Sequence, residues 1–497
     1  MNRKRRKLTK EVKMRNWHRN LEVFSIHFLL LTFYFSPVFA QGPDTLWTRT
    51  YGGTNDDQAY SVQQTFDGGY IIAGYTKSFG AGNADVYLVK TDSIGDTLWT
   101  RTYGDTLFDA AYSVQQTSDS GFIVAGRKEI PDSIWSNIYG YLIKTDKNGD
   151  SLWAKLYGWE PYEDARFYSV DKTADGGYIA TGFISKIFLR QIDVLLVKTN
   201  MDGNVLWHKE YSEGYGYSVK QTSDGGYIIA GTYLIKADSL GDTLWTKPYG
   251  GYSVKQTSDG GYVIAGEKGV NGVDVHLIKT DSLGDTLWTR NYGGIHHDEG
   301  YSVKQTIDEG YIIAGNTGWY FDISLADTFY DADVYLIKTD SFGDTLWTKI
   351  YGDTNNDYGR SVEQTLDSGF IVAGYTKSFG AGDYDVYLIK TGADVGVEEK
   401  RKPNVTYNPK FRIYPNPFSK SSTISYQLPM KGNVTLRVYD LSGRLVRLLL
   451  SGEQDSGYYV VAWDGSDGNG IKVPRGIYLI RLQAGGHTSM HKVVLLR

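Results

Sequence analysis

The feature that most constrains this 497-residue chain is that it repeats itself. The stretch Tyr60–Gly104, YSVQQTFDGGYIIAGYTKSFGAGNADVYLVKTDSIGDTLWTRTYG, recurs with variations as seven units. A Leu-Trp pair preceded by Thr, Ser or Val ends at Trp47, Trp99, Trp153, Trp207, Trp245, Trp288 and Trp347. A Ser-Val pair preceded by Tyr or Arg ends at Val62, Val114, Val170, Val219, Val254, Val303 and Val362. The tryptophan spacings are 52, 54, 54, 38, 43 and 59 residues. A period near 50 residues marks a supersecondary unit that cannot bury its apolar face alone and must stack on its neighbours.

Each unit offers four short strands. In the first they are Tyr60–Thr65, Tyr70–Tyr75, Val86–Thr91 and Thr97–Thr102, rich in Tyr, Val, Ile and Thr. Phe66-Asp67-Gly68-Gly69 joins the first two and Asp92–Asp96 joins the last two, both with Gly available for a left-handed turn position. No amphipathic helix pattern interrupts residues 41–395. Four-stranded sheets stacked face to face around an axis bury both faces of each, so the expected fold is all-β, a seven-bladed β-propeller. The chain enters on a lone fourth-type strand, Thr45–Thr50, and the seventh unit stops after its third strand, Val386–Thr391. The preferred reading is that the first strand completes the last blade as a clasp. The alternative is that Thr45–Thr50 opens a blade and every blade is continuous.

The first unit carries, in order, the pieces Tyr51-Gly52-Gly53, Asp56-Asp57, Gly69–Thr76, Asp85-Val86, Val89-Lys90 and Gly95 with Trp99. They resemble the seven-bladed β-propeller repeat family abbreviated SBBP, over about 350 residues. That family does not define one activity.

The topology separates a face of uniform hairpins from a face of variable loops. The second-to-third loop is Lys77–Asp85 in unit 1 and the 18 residues Asn316–Asp333 in unit 6, and it vanishes at Gly231-Thr232-Tyr233 in unit 4. Binding sites favour variable loops on a rigid scaffold, so a notch is expected over blades 4 and 5. Trp159, Tyr162, Trp319 and Tyr320 are extra aromatics in the long loops of units 3 and 6, candidates for a ligand-stacking platform. The loop Asp353–Gly359 has D-x-N-x-D-x-G spacing, and Asp353, Asn355 and Asp357 offer the alternate hard oxygens that suit Ca²⁺. No Glu closes that loop at the position an EF-hand uses. Asp464–Gly470 reads as a turn. His296-His297-Asp298-Glu299 reads as an inter-blade loop. The tryptophans of the Leu-Trp pairs read as blade-to-blade packing. The lysines Lys90, Lys144, Lys198, Lys236, Lys279, Lys338 and Lys390 alternate with aliphatics and read as solvated strand positions. No catalytic motif appears, and the chain has no cysteine.

Residues 1–40 read as an export signal: nine Lys/Arg before position 20, the apolar run Val23–Phe35, and cleavage after Ala40, before Gln41. A start at Met14 gives a more ordinary signal. Thirteen apolar residues are too few to span a bilayer, and no span is expected in the mature chain. Residues 41–395 carry a net charge near −20, which argues against nucleic acid as partner.

Residues 396–411 read as a polar linker and 412–497 as a small immunoglobulin-like β-sandwich. Tyr414-Pro415-Asn416-Pro417-Phe418, Ile424-x-Tyr426-x-Leu428-Pro429, Val438-Tyr439-Asp440-x-x-Gly443-Arg444, Trp463-Asp464-Gly465, Gly476-x-Tyr478 and Lys492-Val493-Val494 resemble the type A C-terminal sorting domain of the type IX secretion system. That resemblance implies the type IX secretion machinery as partner and passage to the surface or exterior of a Gram-negative bacterium. The Trp-Asp-Gly and Gly-x-Tyr pieces are also similar to the immunoglobulin-like domain of flagellar hook-capping proteins. The resulting expectation is an exported, non-enzymatic propeller that binds a glycan or protein. The alternative is an exported propeller enzyme, a hydrolase or lyase acting on polysaccharide.

Overall fold

Strands with turn residues between them fold into consecutive antiparallel sheets. The computed structural model describes residues 42–131, 136–158, 163–211, 213–269, 273–294, 297–322, 327–329, 332–394, 411–414, 416–428, 432–440, 443–455, 457–484 and 487–496. In the first unit the strands are Asp57–Gln64, Tyr70–Thr76, Asp85–Thr91 and Thr97–Tyr103, hydrogen-bonded in that order. The same order recurs in every unit, and the protein is a seven-bladed β-propeller followed by an immunoglobulin-like sandwich. In the first unit the second and third strands are buried at every position, whereas the outer strand alternates. Neighbouring blades cover both faces of the middle strands, so these strands are apolar without alternation. The inner strand carries a bulge between Ala59 and Ser61. Gly74 permits the close approach there, since a Cβ would sit 1.7 Å from the Gln58 carbonyl oxygen.

The clasp closes the ring. Thr45–Tyr51 pairs antiparallel with Asp385–Thr391 and supplies the outer strand of blade 7. The core between blades 7 and 1 joins Ile371, Val386 and Leu388 to Val62, Ile72 and Val89. A circular set of hydrogen bonds runs through the Ser-Val pairs. The Val114 amide donates to Ser61 Oγ, Val170 to Ser113, Val219 to Ser169, Val254 to Ser218, Val303 to Ser253, Val362 to Ser302 and Val62 to Ser361, all at 3.2–3.3 Å. The seven tryptophans pack as expected. Each meets the first ring of the next blade's second strand, from Trp47–Tyr70 to Trp347–Phe370, with centroids 5.8–6.1 Å apart. Gly95, at φ +84°, leaves room for Trp47, whose ring would lie 2.9 Å from an added Cβ.

The lysines overturn their reading as solvated positions. Lys90, Lys144, Lys198, Lys236, Lys279, Lys338 and Lys390 are 1–5% exposed. Each ammonium pairs with the hairpin aspartate of its own blade, from Lys90–Asp67 to Lys390–Asp367, at 2.7–3.0 Å. Each also donates to the carbonyl of the following residue at 2.6–3.1 Å. The physical reason is that the third strand has no solvent face, so a lysine there is tolerated only with a carboxylate beside it.

Two loop expectations also change. Unit 6 has no 18-residue loop: its second strand runs Tyr311–Asp322 and turns back as Asp327–Phe329. His297, Asp298 and Glu299 belong to the inner strand His297–Gln305 rather than to a loop, and His296 lies outside the described residues. The short connection of unit 4 is as expected, with strands Tyr227–Gly231 and Leu234–Ala237 nearly continuous.

The sandwich packs the sheet Phe411–Tyr414, Ser422–Leu428, Gly457–Trp463 on the sheet Leu445–Gln454, Gly432–Asp440, Gly476–Ala484, His487–Leu495. Its first strand was not anticipated from the pattern. Trp463 is fully buried between Phe418 and Tyr478, and its indole N–H donates to the Ser466 carbonyl at 2.9 Å. Asn416 fastens the last strand, its side-chain oxygen accepting from the Val494 amide at 2.9 Å and its amide donating to the Lys492 carbonyl at 2.8 Å.

Candidate functional site

The inner strands of the blades face the axis, so equivalent positions in the units form rings around it. The bulge in the inner strand places Tyr and Ser, adjacent in sequence, both toward that axis. The position before each Ser-Val pair is Tyr60, Tyr112, Tyr168, Tyr217, Tyr252, Tyr301 and, in unit 7, Arg360. Successive tyrosines from Tyr60 to Tyr301 touch, with centroids 5.1–5.4 Å apart. Arg360 fills the seventh place. Its guanidinium lies 3.9 Å from the centre of the Tyr301 ring, faces Tyr358 and Tyr375 as well, and donates to the Tyr375 hydroxyl at 2.7 Å. A cation over aromatic faces is stabilised by the ring quadrupoles.

On the variable-face side of this ring the copies diverge further. The Tyr301 hydroxyl donates to Glu299 at 2.6 Å and the Tyr252 hydroxyl to Glu267 at 2.9 Å. Asn316 donates to Glu299 at 3.3 Å. Glu267 is exposed. Its carboxyl is raised above the usual range, by partial burial first and then by the charge of the neighbouring Glu299, against the bond from Tyr252. The Tyr60 hydroxyl donates to Gln58 at 2.8 Å, and Tyr215 stacks on Tyr217 with planes 7° apart. Burial raises the six phenols of the ring, Tyr60, Tyr112, Tyr168, Tyr217, Tyr252 and Tyr301, Tyr168 being pushed up to about 12. The axial mouth on this side thus combines aromatic faces with the Arg360 guanidinium and the Glu267 and Glu299 carboxyls from blades 5, 6 and 7, and Arg127 and Arg166 of blades 2 and 3 stand near Tyr112.

The expected site residues lie elsewhere. Trp159 and Tyr162 fall outside the described residues, as do Ala40 and Gln41. The backbone of Trp319 and Tyr320 belongs to the strand hairpin of unit 6, Trp319 opposite His297 and Tyr320 opposite Phe329. Asp353, Asn355 and Asp357 are brought together by backbone groups. The buried Asp357 carboxylate accepts from the Asp353 amide at 3.0 Å, from the Ser378 hydroxyl at 2.7 Å and from the Thr376 hydroxyl. The Asn355 amide donates to Ser378 Oγ at 3.2 Å. Asp57 braces the unit 1 loop in the same way, accepting from Gly53 at 2.8 Å and Ser78 at 2.6 Å, although unit 1 lacks the first aspartate. Among the described residues no three His, Cys, Asp or Glu side chains form a group suited to a metal ion. Asp467 of the Asp464–Gly470 stretch accepts from the Asn469 and Ile471 amides, closing a turn. Sequence reasoning passed over Arg360 and Glu267 and read Glu299 as part of a loop. The available signal was the Arg in place of Tyr before the last Ser-Val pair.

Residues 418–487 match the family model of the FlgD Ig-like domain. No curated protein matches the chain. Among solved structures, PorZ, a surface component of the type IX secretion system of Porphyromonas gingivalis, is 11% identical with a TM-score of 0.39 over 90% of this chain. The chain spans 60% of the length of that PorZ structure. A fungal alcohol oxidase of the AA5 family in complex with copper is 12% identical, TM-score 0.42, over 92% of this chain and 100% of its own. Sqt1 from Chaetomium thermophilum is 11% identical, TM-score 0.40, over the same shares. At such identities and scores these likenesses carry nothing about activity. Among the described residues no helix is long and apolar enough to cross a membrane.

Proposed function

We propose that the chain is an exported binding protein that takes a glycan or protein ligand at the axial mouth of its variable face. The observation that carries this reading is the meeting of Arg360, Glu267 and Glu299 on the tyrosine ring, at the end of the axis where the copies differ. Aromatic faces pack on sugar rings or peptide side chains, and the carboxyl pair and guanidinium orient hydroxyl or amide groups. A glycan and peptide binding screen on the secreted protein tests it. Loss of a hit in Glu299→Gln supports the reading, and no hit, or one that Glu299→Gln and Arg360→Gln leave intact, defeats it. Running the same screen with and without Ca²⁺ tests whether Asp353, Asn355 and Asp357 hold a cation.

A propeller hydrolase or lyase is the second reading, favoured by the carboxyl pair. Glu299 lies near enough to Glu267 to hold its carboxyl above the usual range, as an acid partner in such chemistry requires. Polysaccharide turnover abolished by Glu267→Gln would establish the enzyme.

For export, the resemblance of residues 412–497 to the type IX sorting domain supports delivery by that machinery to the cell surface or the medium. Deleting Arg412–Arg497 is expected to leave the protein in the periplasm. Unchanged appearance outside the cell would refute the assignment.

A further inference from the structure

On the other side of the tyrosine ring, toward the hairpin face, lies a second feature of the axis. A cavity of about 90 Å³ is lined by six of the seven ring serines and by six of the seven residues that follow the valines, all but Asp171. Those seven positions read Gln63, Gln115, Asp171, Lys220, Lys255, Lys304 and Glu363 around the axis.

Three lysines and Glu363 therefore line the cavity, with Asp171 beside Lys220 just outside the lining. Lys220 pairs with Asp171 at 2.9 Å, and Lys304 pairs with Glu363. Lys255 lies between those two lysines in ring order and makes no ion pair or hydrogen bond among the described residues. Burial, and then the charges of Lys220 and Lys304, push its ammonium well below the ordinary lysine value, which Glu363 and Asp171 only partly offset. One positive charge on the cavity wall is thus left without a counter-charge.

The serines add donors. Each Oγ already accepts the amide of the next blade's valine. The hydroxyl protons are left over, and none of these serines donates to another described residue. A hydroxyl carries one proton and two lone pairs, so an oxygen that accepts one bond still has its proton to give. The wall therefore presents hydroxyl donors and an uncompensated ammonium, while its carboxylates are taken up by Lys220 and Lys304. Such a wall suits an anion with several acceptor oxygens.

We infer that the axial cavity is a binding site for a small tetrahedral oxyanion, phosphate or sulfate, with Lys255 as its principal counter-charge and the ring serines as donors. This site is separate from the mouth on the variable face and does not depend on the ligand proposed there.

Isothermal titration of the secreted protein with inorganic phosphate, and in parallel with sulfate, at matched ionic strength in chloride, tests it. Saturable one-site binding is expected, and Lys255→Met is expected to weaken it at least tenfold. The parallel arms tell which oxyanion the site prefers. Absence of saturable binding in both arms, or equal affinity in Lys255→Met, overturns the inference. If the variant does not fold, crystals of the wild-type protein soaked with tungstate decide. An anomalous peak on the axis beside Lys255 supports the site, and no peak there defeats it.

Discussion

Two sets of lysines sit inside this propeller, and they are held differently. The seven lysines of the third strands each meet one aspartate and one carbonyl in the same geometry. The three axial lysines meet two carboxylates, and Lys255 is the remainder. A motif copied seven times brings its own counter-charge each time. A position free to vary between copies need not balance, and imbalance is what a ligand can use. The difference separates scaffold from site more sharply than loop length does.

The largest expected effect breaks the repeated set as a whole. Burial alone would raise the seven hairpin aspartates, but bonds from the lysine, the Thr hydroxyl and the Gly amide outweigh it, and Asp175 and Asp259 are held at about 2. A carboxyl depressed on folding stabilises above its unfolded value and loses that contribution as pH falls through the folded value. Tryptophan fluorescence should therefore report a steep loss of stability between about pH 4 and about pH 2. A flat profile through that window would show that the braces contribute nothing. Next, Asp175→Ala strands the Lys198 ammonium inside the blade. Denaturant unfolding should register a loss of about 2 kcal/mol, below the range for removing one partner of a fully buried pair because the aspartate is half-exposed. Third, Ser113→Ala leaves the Val170 amide without its acceptor and should cost about 1 kcal/mol. The smallest effect has the opposite sign. In buffer free of phosphate and sulfate, Lys255→Met should be neutral or stabilise by up to about 1 kcal/mol, since it removes a cation held between two others. The ammonium is depressed on folding, so the wild type should gain stability as pH rises from the folded value of Lys255 toward about 10, a slope the Met variant lacks. Equal losses in Asp175→Ala and Lys255→Met would erase the distinction between the two sets.

Much of the architecture was legible before any coordinates. The repeat period, the lone strand at Thr45 and the truncated seventh unit pointed to a clasped ring, and the Leu-Trp pairs to blade contacts. The buried lysines were not legible. A Val-Lys-Thr alternation looks like a half-exposed strand, and the partner Asp67 lies 23 residues before Lys90. Only the knowledge that both faces of the strand are covered turns that lysine inward. The axial site was half legible. Gln, Gln, Asp, Lys, Lys, Lys and Glu stand in plain view after the valines, but they read as surface variation until the inner strands bring them around one axis. The mouth residue Glu267 follows from no repeat pattern, because it reaches Glu299 across a blade junction.

The clasp has a consequence for how this molecule is made. The bond from the Val62 amide to Ser361 joins residues 299 apart, and the strand at Thr45 finds its partner only at Thr391. Six blade junctions can form as their segments appear, but the seventh waits for both ends of the repeat region to be present together. Closing so long a loop is slow and entropically costly, so joining blade 7 to blade 1 is expected as the last step of folding. Until then the third strand of blade 7 has an open edge, and Thr45–Tyr51 is an extended segment in search of one. Two unfinished molecules could satisfy each other by exchanging that strand, so the seam is where strand swapping would be expected under crowded refolding.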